Sequence, residues 1–417
     1  MTIAPPAPKP DRKVIFVNRF YAPDLSATSQ ILTDVAEALA KTDHAVTILT
    51  SRMSYDGNQT YRPSERLKGV NIHRIWTTRF GRGSTIGRAF DYLTFYLSIS
   101  LSLLFRLKKN DVLVAKTDPP MLSIPLGFIA RLKGAHLINW LQDVFPEVAT
   151  ELGVTSSDNV LARALRSLRN RSLRHAAANV AIGERMKERI IEMGVESDRT
   201  TIIENFVDDR AIIHTPDHSP ALREEWGLAP GDFVIGYSGN LGRAHDLDTM
   251  LDAATALKET PQIKFLFVGG GFLRERLNQE IATRNLENVL LRPYQPRARL
   301  PESLRLPNLH WASLNPKLEG YIVPSKAYGI AAAGRPLLMV GDEDGEIGRF
   351  IKAYDFGICV APGDHTRVRK IISDLASDPA RLNQLGQNAR RFIDERASMQ
   401  LAFKRWDDLL RNVAANS

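Results

Sequence analysis

Short strand-like runs, mostly apolar, recur through the first half of the chain, at residues 13–17, 45–49, 70–76, 111–116, 136–140, 178–182 and 201–204. The first, an apolar run at 13–17, reads as a parallel strand buried on both faces. Between most of them lie stretches with apolar positions every three or four residues, notably 121–132, 161–175 and 185–193. The first such stretch follows a loop at residues 18–29 and carries Ile31, Leu32, Val35 and Leu39 on one helical face. The pattern then starts again. After residues 205–209 comes a polar, proline-bearing stretch at 214–221, which reads as a linker. A second series of runs follows at 233–237, 264–268, 289–291, 310–314, 337–340 and 357–360. Helical patterns fall at 247–257, 273–284, 325–333 and 367–375, and two more, 381–395 and 400–413, close the chain. Strands alternating with helices predict two successive doubly wound parallel sheets, an α/β architecture. The expected boundaries are a disordered lead-in at 1–11, a first domain at 12–207 and a second at 208–398. A terminal helix at 399–417, bearing Trp406, is placed to pack back on the first. Each sheet should take its ligand outside the carboxyl ends of its strands, at the point where strand order reverses. Two such domains facing one another would put an active site in the cleft between them.

Composition narrows this frame. An apolar fraction of 44% and a charged fraction of 24% belong to a water-soluble globular chain. The single cysteine, Cys359, sits in an apolar run, so neither a disulfide frame nor a cysteine metal cluster is available, and a reducing cytoplasm is the expected compartment. The proline-rich first ten residues hold no apolar run that would read as a signal or anchor. The net charge of +8 is unevenly spread: residues 1–200 carry 28 Lys and Arg against 19 Asp and Glu, and the remainder 27 against 28. A basic first half attracts anionic lipid or a phosphate-bearing substrate. Its basic residues are not interleaved with aromatic platforms, which argues against nucleic acid. Residues 92–105, YLTFYLSISLSLLF, precede Arg106, Lys108 and Lys109. They are too few to span a hydrocarbon core of about 30 Å, and read first as a core helix and second as a face lying on an anionic membrane.

The candidate chemistry lies at strand ends of the second series. In Tyr321 to Pro336, Pro324 and Ser325 give a helix start and Gly334 followed by Pro336 a helix stop. The free amides at such a start form an anion site, and Lys326 in the first turn opposes the helix dipole unless an anion is present. Pro324, Ser325 and Lys326 are therefore candidate diphosphate contacts. The alternative is an ordinary crossover helix with a surface lysine. Ser238, Gly239, Asn240, Leu241, Gly242 and Arg243 follow the first strand of the second series; small residues allow backbone approach, and an arginine grips phosphate oxygens as a fork. This is not the G-x-G-x-x-G dinucleotide fingerprint. Gly269, Gly270 and Gly271 form another strand-end glycine loop, and Tyr294 ends the next strand, where a base could lie.

In order and spacing, the segments 238–243, 269–271, 323–326 and 333–336 resemble those of retaining GT-B glycosyltransferases. The likeness is to the GT4-type bacterial enzymes of capsule, O-antigen and exopolysaccharide assembly, including those similar to fucosamine transferases. It extends to 20–30 and 140–147 in the first half. The resemblance implies a GT-B fold and a nucleotide-sugar donor, a UDP-sugar, as substrate and not as a cofactor. The donor's diphosphate would meet Arg243, Ser325 and Lys326, its base would lie near Tyr294, and Ser238, Gly239, Asn240, Gly270 and Pro324 would shape the donor site. It implies a polyprenyl-diphosphate-linked saccharide acceptor beside Tyr21, Asp24 and Ser26. It further implies transfer without bound metal, in the cytoplasm or peripherally at the inner face of the membrane. Physically, such an enzyme positions its substrates and stabilises charge on a departing diphosphate.

The chain departs from the family pattern at instructive places. The family's two glutamates fall on Tyr321 and Gly329, with Glu319 as the nearest carboxylate, either a donor-sugar contact or a solvated loop group. The family's phosphate-loop Arg and Lys fall on Asn240 and His245, and its first-half His on Gln142. Asp143 is left as the polar candidate to orient the acceptor or act as a base, or to cap the segment that follows. Two other readings stay open at this point: a nucleotide-sugar epimerase or hydrolase on the same fold, and a non-catalytic sugar-nucleotide-binding scaffold.

Overall fold

A computed structural model describes residues 13–415 apart from 25, 56, 82–84, 155–159 and 213–217. The lead-in expected at 1–11 and the first half of the expected linker, 214–217, therefore lie outside the described residues. The chain divides into two compact units: one runs to Ile203 and takes in the chain from Ala402 onward, and the other is Glu204–Leu401.

The first unit is built from β1 (Lys13–Val17), α1 (Ala27–Leu39), β2 (Ala45–Ser51), β3 (Ser64–Leu67), β4 (Val70–Ile75), α2 (Thr85–Arg106), β5 (Val112–Lys116), α3 (Ser123–Lys133), β6 (His136–Trp140), α4 (Glu147–Glu151), α5 (Val160–His175), β7 (Ala178–Ala181), α6 (Glu184–Glu192) and β8 (Thr200–Ile202). Its sheet runs β3-β4-β2-β1-β5-β6-β7-β8, parallel throughout except for the edge pair β3–β4. Strand order reverses beside β1, which pairs with β2 on one side and β5 on the other. Every residue of β5 is buried, its apolar Val112 to Ala115 as that sequence requires and the terminal Lys116 with them.

The second unit comprises α7 (Pro220–Glu225), β9 (Phe233–Asn240), α8 (Asp248–Ala256), β10 (Ile263–Gly270), α9 (Arg274–Arg284), β11 (Val289–Arg292), α10 (Leu300–Arg305), β12 (Leu309–Ser313), α11 (Lys326–Ala332), β13 (Leu337–Val340), α12 (Glu346–Tyr354), β14 (Gly357–Val360), α13 (His365–Ala376) and α14 (Pro379–Phe392). The last helix, α15 (Met399–Ala415), follows a single π-helical turn at Ile393–Ala397. The sheet order β11-β10-β9-β12-β13-β14 is the 3-2-1-4-5-6 order of a complete dinucleotide-binding sheet, with its reversal between β9 and β12. Both sheets are doubly wound, as the alternation of runs and helical patterns predicts.

The differences from expectation are local. The stretch read as a linker at 214–221 enters a helix at Pro220, where proline's fixed φ suits a first helical turn. The edge strand β3, with all four residues exposed, has no apolar run to announce it. Residues 92–105 are the body of the 22-residue helix α2, whose Phe95, Ile99 and Leu103 enter the core while other apolar positions face outward. Among the described residues no helix is long and apolar enough to cross a membrane.

Candidate functional site

The second unit gathers its chemistry where β9, β10 and β12 end. The carboxyl end of β9 runs Tyr237, Ser238, Gly239, Asn240, and pairs in register with Phe267 to Gly270 of β10. Gly269 has φ +129°, and a Cβ there would stand 2.3 Å from the Gly239 carbonyl oxygen, so the two strand ends close up only because residue 269 is glycine. The Tyr294 ring lies over Gly269 and Gly270, with its hydroxyl donating to the Gly270 carbonyl at 3.3 Å, and it remains 58% exposed. A flat, exposed ring above bare backbone is a surface on which a base can stack.

Lys326 opens α11 directly opposite. Its ammonium donates to the Tyr237 hydroxyl, sits 3.9 Å from the centre of that ring, and reaches His245 Nε2 at 3.4 Å. The Tyr237 hydroxyl in turn donates to the Asn240 carbonyl at 2.7 Å. His245 is fixed through Nδ1, 2.7 Å from the Ser313 carbonyl oxygen at the end of β12. That contact puts the proton on Nδ1 and leaves the Nε2 lone pair facing the ammonium. Burial, and then the charge of Lys326, lower the His245 pKa to about 4, which keeps the ring neutral. Burial likewise lowers Lys326 to about 7. No carboxylate among the described residues balances this ammonium, and one of its three N–H groups is left without an acceptor. Arg243 is exposed, lies 3.8 Å above the Phe272 ring, and also meets no carboxylate among the described residues. Two cations without counter-ions, one of them desolvated, flank the glycine loops at the sheet's reversal point. An anion is what that arrangement accommodates.

The structure brings the glycine loops, Arg243, Tyr294 and Lys326 into one neighbourhood. Sequence reasoning misses Tyr237 and His245 as the groups that hold Lys326. The available signal is an aromatic residue immediately before the small-residue loop, with a histidine in the family's lysine position. Ser325 is exposed and its side chain makes no capping hydrogen bond; the serine cap expected there is not formed, because Ser325 itself has helical backbone angles. Pro324 is buried beside it, and Gly334 does take the left-handed conformation expected of a helix stop, with φ +65°.

Glu319 is not the solvated loop group that sequence allows. It is 3% exposed, and its carboxylate accepts from the Glu346 amide at 3.1 Å, at the start of α12. A Cβ on Gly345 would come within 2.4 Å of it. Negative charge at a helix start is favourable, so Glu319 fixes the 319–322 turn to α12.

In the first unit, Asp143 lies just past β6 on a cavity of about 20 Å³, room for one water, that it shares with Lys116, Asn139, Trp140 and Arg169. Lys116 is 1% exposed; its ammonium donates to the Thr28 carbonyl at 3.2 Å and sits 3.8 Å from the centre of a Trp140 ring. Burial lowers Lys116 to about 7 against the pull of Asp118 and Asp143. Burial, then Asp118, raise Asp143 to about 6, with Lys116 opposing. Lys116 carries no sequence signal: it ends an apolar strand and looks like a boundary residue. Tyr21 and Asp24, expected as acceptor-side contacts, are buried. The Asp24 carboxylate accepts from the Ser26 amide at 2.8 Å and from the Tyr55 amide, tying the loop after β1 to the loop after β2. Any part they play runs through the shape of that loop. Ser26 precedes α1 without capping it.

A family model described as a glycosyl transferase 4-like domain matches residues 27–205, and one described as glycosyl transferases group 1 matches residues 218–392. Together they cover most of both units, and the chain belongs to the GT4-type glycosyltransferases of GT-B fold. It is similar to the putative colanic acid biosynthesis glycosyl transferase WcaI of Escherichia coli (strain K12), 24% identical over 361 residues that make up 84% of this chain and 88% of that protein. Among solved structures, the sucrose-phosphate synthase of Thermosynechococcus elongatus shares the fold with a TM-score of 0.79 at 15% identity, covering 97% of this chain and all of that one. HepE of Anabaena, solved with UDP-glucose, shares it at a TM-score of 0.71 and 15% identity, over 96% of this chain and 99% of that one.

Proposed function

We propose that this glycosyltransferase moves a hexosyl or N-acetylhexosaminyl group from a UDP-sugar to a polyprenyl-diphosphate-linked saccharide, with retention of anomeric configuration. The setting is the assembly of a bacterial cell-surface polysaccharide at the cytoplasmic face of the membrane. The observation that carries the donor half is the desolvated Lys326 ammonium, held by Tyr237 and His245 with no carboxylate beside it among the described residues. HepE, of the same fold, is solved with UDP-glucose, and WcaI is named for colanic acid biosynthesis; both support this reading.

In this reading the diphosphate sits between Lys326 and Arg243 and against the backbone of Ser238, Gly239, Asn240 and Gly270. Pro324 and Ser325 shape the turn into Lys326, and the uracil stacks on Tyr294. The bond from the sugar's anomeric carbon to the diphosphate breaks, and the acceptor oxygen bonds to that carbon on the same face. The acceptor's proton passes to the departing phosphate. Lys326 and Arg243 stabilise the charge that develops there, the part a metal ion plays in other transferases. Glu319 acts by positioning the turn before Lys326, and Asp143 by orienting the acceptor hydroxyl.

The test is calorimetric titration with UDP and UDP-sugars. Lys326→Ala and Arg243→Ala should each weaken UDP by about tenfold or more, the usual worth of a charge-assisted hydrogen bond, while the fold is retained. Unchanged affinity in both variants overturns the donor assignment. Sugar transfer that survives a chelator supports the metal-free reading, and conversion of the UDP-sugar with no acceptor present would point to an epimerase or hydrolase instead.

A further inference from the structure

Helix α2 is apolar on two sides. Phe95, Ile99 and Leu103 are fully buried, yet Phe90, Leu93, Leu97, Leu101 and Phe105 form a second stripe at three- and four-residue spacing that faces out, with Leu97 63% and Phe105 84% exposed. That stripe rises about 22 Å along the helix at 1.5 Å per residue. Helix α3 packs beside α2 and α5 beside α3, and they add exposed Phe128, Leu132 and Leu168 to the same layer. The three helices contain nine Arg and Lys, of which Arg169 is buried and paired with Glu147, and a single acidic residue, Asp91, which is also buried. An apolar stripe of this size on a strongly basic surface matches an anionic bilayer.

At the N-terminal end of α2 the stripe meets a polar pocket of about 350 Å³, within the size range of small-molecule sites. Loops that follow β1, β2 and β4 line it, together with α2. Arg19, Arg79 and Arg88 face it alongside Tyr55 and Tyr92. Among the described residues Asp91 is the one carboxylate in the lining, and it is spent on the loop after β4: it accepts from the Thr78 hydroxyl at 2.7 Å and from the Phe80 and Gly81 amides at 3.0 Å each. Arg19 reaches it only at 3.5 Å and is otherwise stacked over Phe20 and Tyr92. Arg79 donates to the Gly57 carbonyl and to no carboxylate among the described residues. The described lining, three arginines against Asp91, is thus net positive and presents forked guanidinium donors, the chemistry of phosphate recognition. Its rim toward the stripe is Phe80 against Phe90, ring centres 6.0 Å apart and both exposed.

We infer that this pocket seats the phosphate end of an isoprenoid lipid while the α2 stripe lies in the bilayer that dissolves its tail. Cations confined at one end of an apolar track read an amphiphile whose charge is at its tip. The inference rests on the proposed lipid-linked acceptor and supplies its binding site.

Co-sedimentation with zwitterionic vesicles containing either a long-chain polyprenyl phosphate or phosphatidylglycerol, matched in surface charge, tests it. The full chain should prefer the polyprenyl vesicles. The Arg79→Ala, Arg88→Ala double variant should lose about tenfold or more of that binding and little of its binding to phosphatidylglycerol, with UDP affinity unchanged as proof of folding. Leu97→Glu should weaken binding to both kinds of vesicle. Equal losses on the two vesicles would make the pocket a general headgroup contact and overturn the inference, as would a double variant that binds polyprenyl vesicles normally. Failure of the wild-type chain to bind UDP is a separate result that overturns the donor reading and leaves this one standing.

Discussion

Lys326 shows how a side chain's role is set by what surrounds it. With its pKa near 7, the ammonium is half titrated at neutral pH, and a bound diphosphate would raise that pKa by opposing charge. UDP binding at pH values just above 7 should therefore take up a proton, seen as a dependence of the calorimetric heat on the buffer's ionisation enthalpy, and affinity should fall as pH rises through 7. Lys326→Met should abolish both effects. Lys116 makes a different prediction, because no ligand is proposed for it. Its folded pKa of about 7 lies below its ordinary 10.5, so in that window the unfolded chain binds the extra proton and stability rises with pH. Lys116→Met should flatten urea-unfolding stability between the two ends of the window. Asp143, raised to about 6, must be ionised to accept from an acceptor hydroxyl, so transfer rates should climb as pH passes upward through 6 and lose that step in Asp143→Asn.

Elements follow their periodicity where it is long and fail to declare themselves where it is short. Helices α4, α7 and α10 have five or six residues each, less than two turns, too few for an apolar stripe to repeat. The long helices are legible, α15 among them, but its destination is not written in its own sequence. Trp406 is fully buried against the first unit, with ring centres 4.5 Å from Trp140 and 5.9 Å from Phe16, and Asp407 meets His44 at 2.7 Å. Trp406→Ala should cost about 3–5 kcal/mol in chemical denaturation of the first unit, although residue 406 lies at the far end of the chain. The start of α12 depends on a partner in the same indirect way. Gly345→Ala would drive a methyl group into the Glu319 carboxylate and should destabilise the second unit by about 1–3 kcal/mol.

For the molecule as a whole, charge asymmetry and the outward stripe of α2 predict salt-sensitive attachment. Anionic vesicles should retain the chain at low ionic strength and release most of it when the screening length falls to a few ångströms, because charge brings the protein to the surface before apolar contact holds it. The alternation of strand-like apolar runs with helical stripes is enough to specify two doubly wound sheets, since strands buried on both faces must be mostly apolar. Glycines at strand ends, and a proline–serine–lysine turn into a small-residue helix, likewise mark a phosphate-sized site from local rules alone. Folding alone decides which distant groups share a volume. It brings Tyr237 and His245 to Lys326 across 89 and 81 positions, turns Glu319 inward onto a helix start, buries Lys116 beside Asp143, and aims one face of α2 at solvent. The physical reason is that charge and burial act through space: a side chain's solvation, and with it its pKa and its use, depends on neighbours that sequence separation does not reveal.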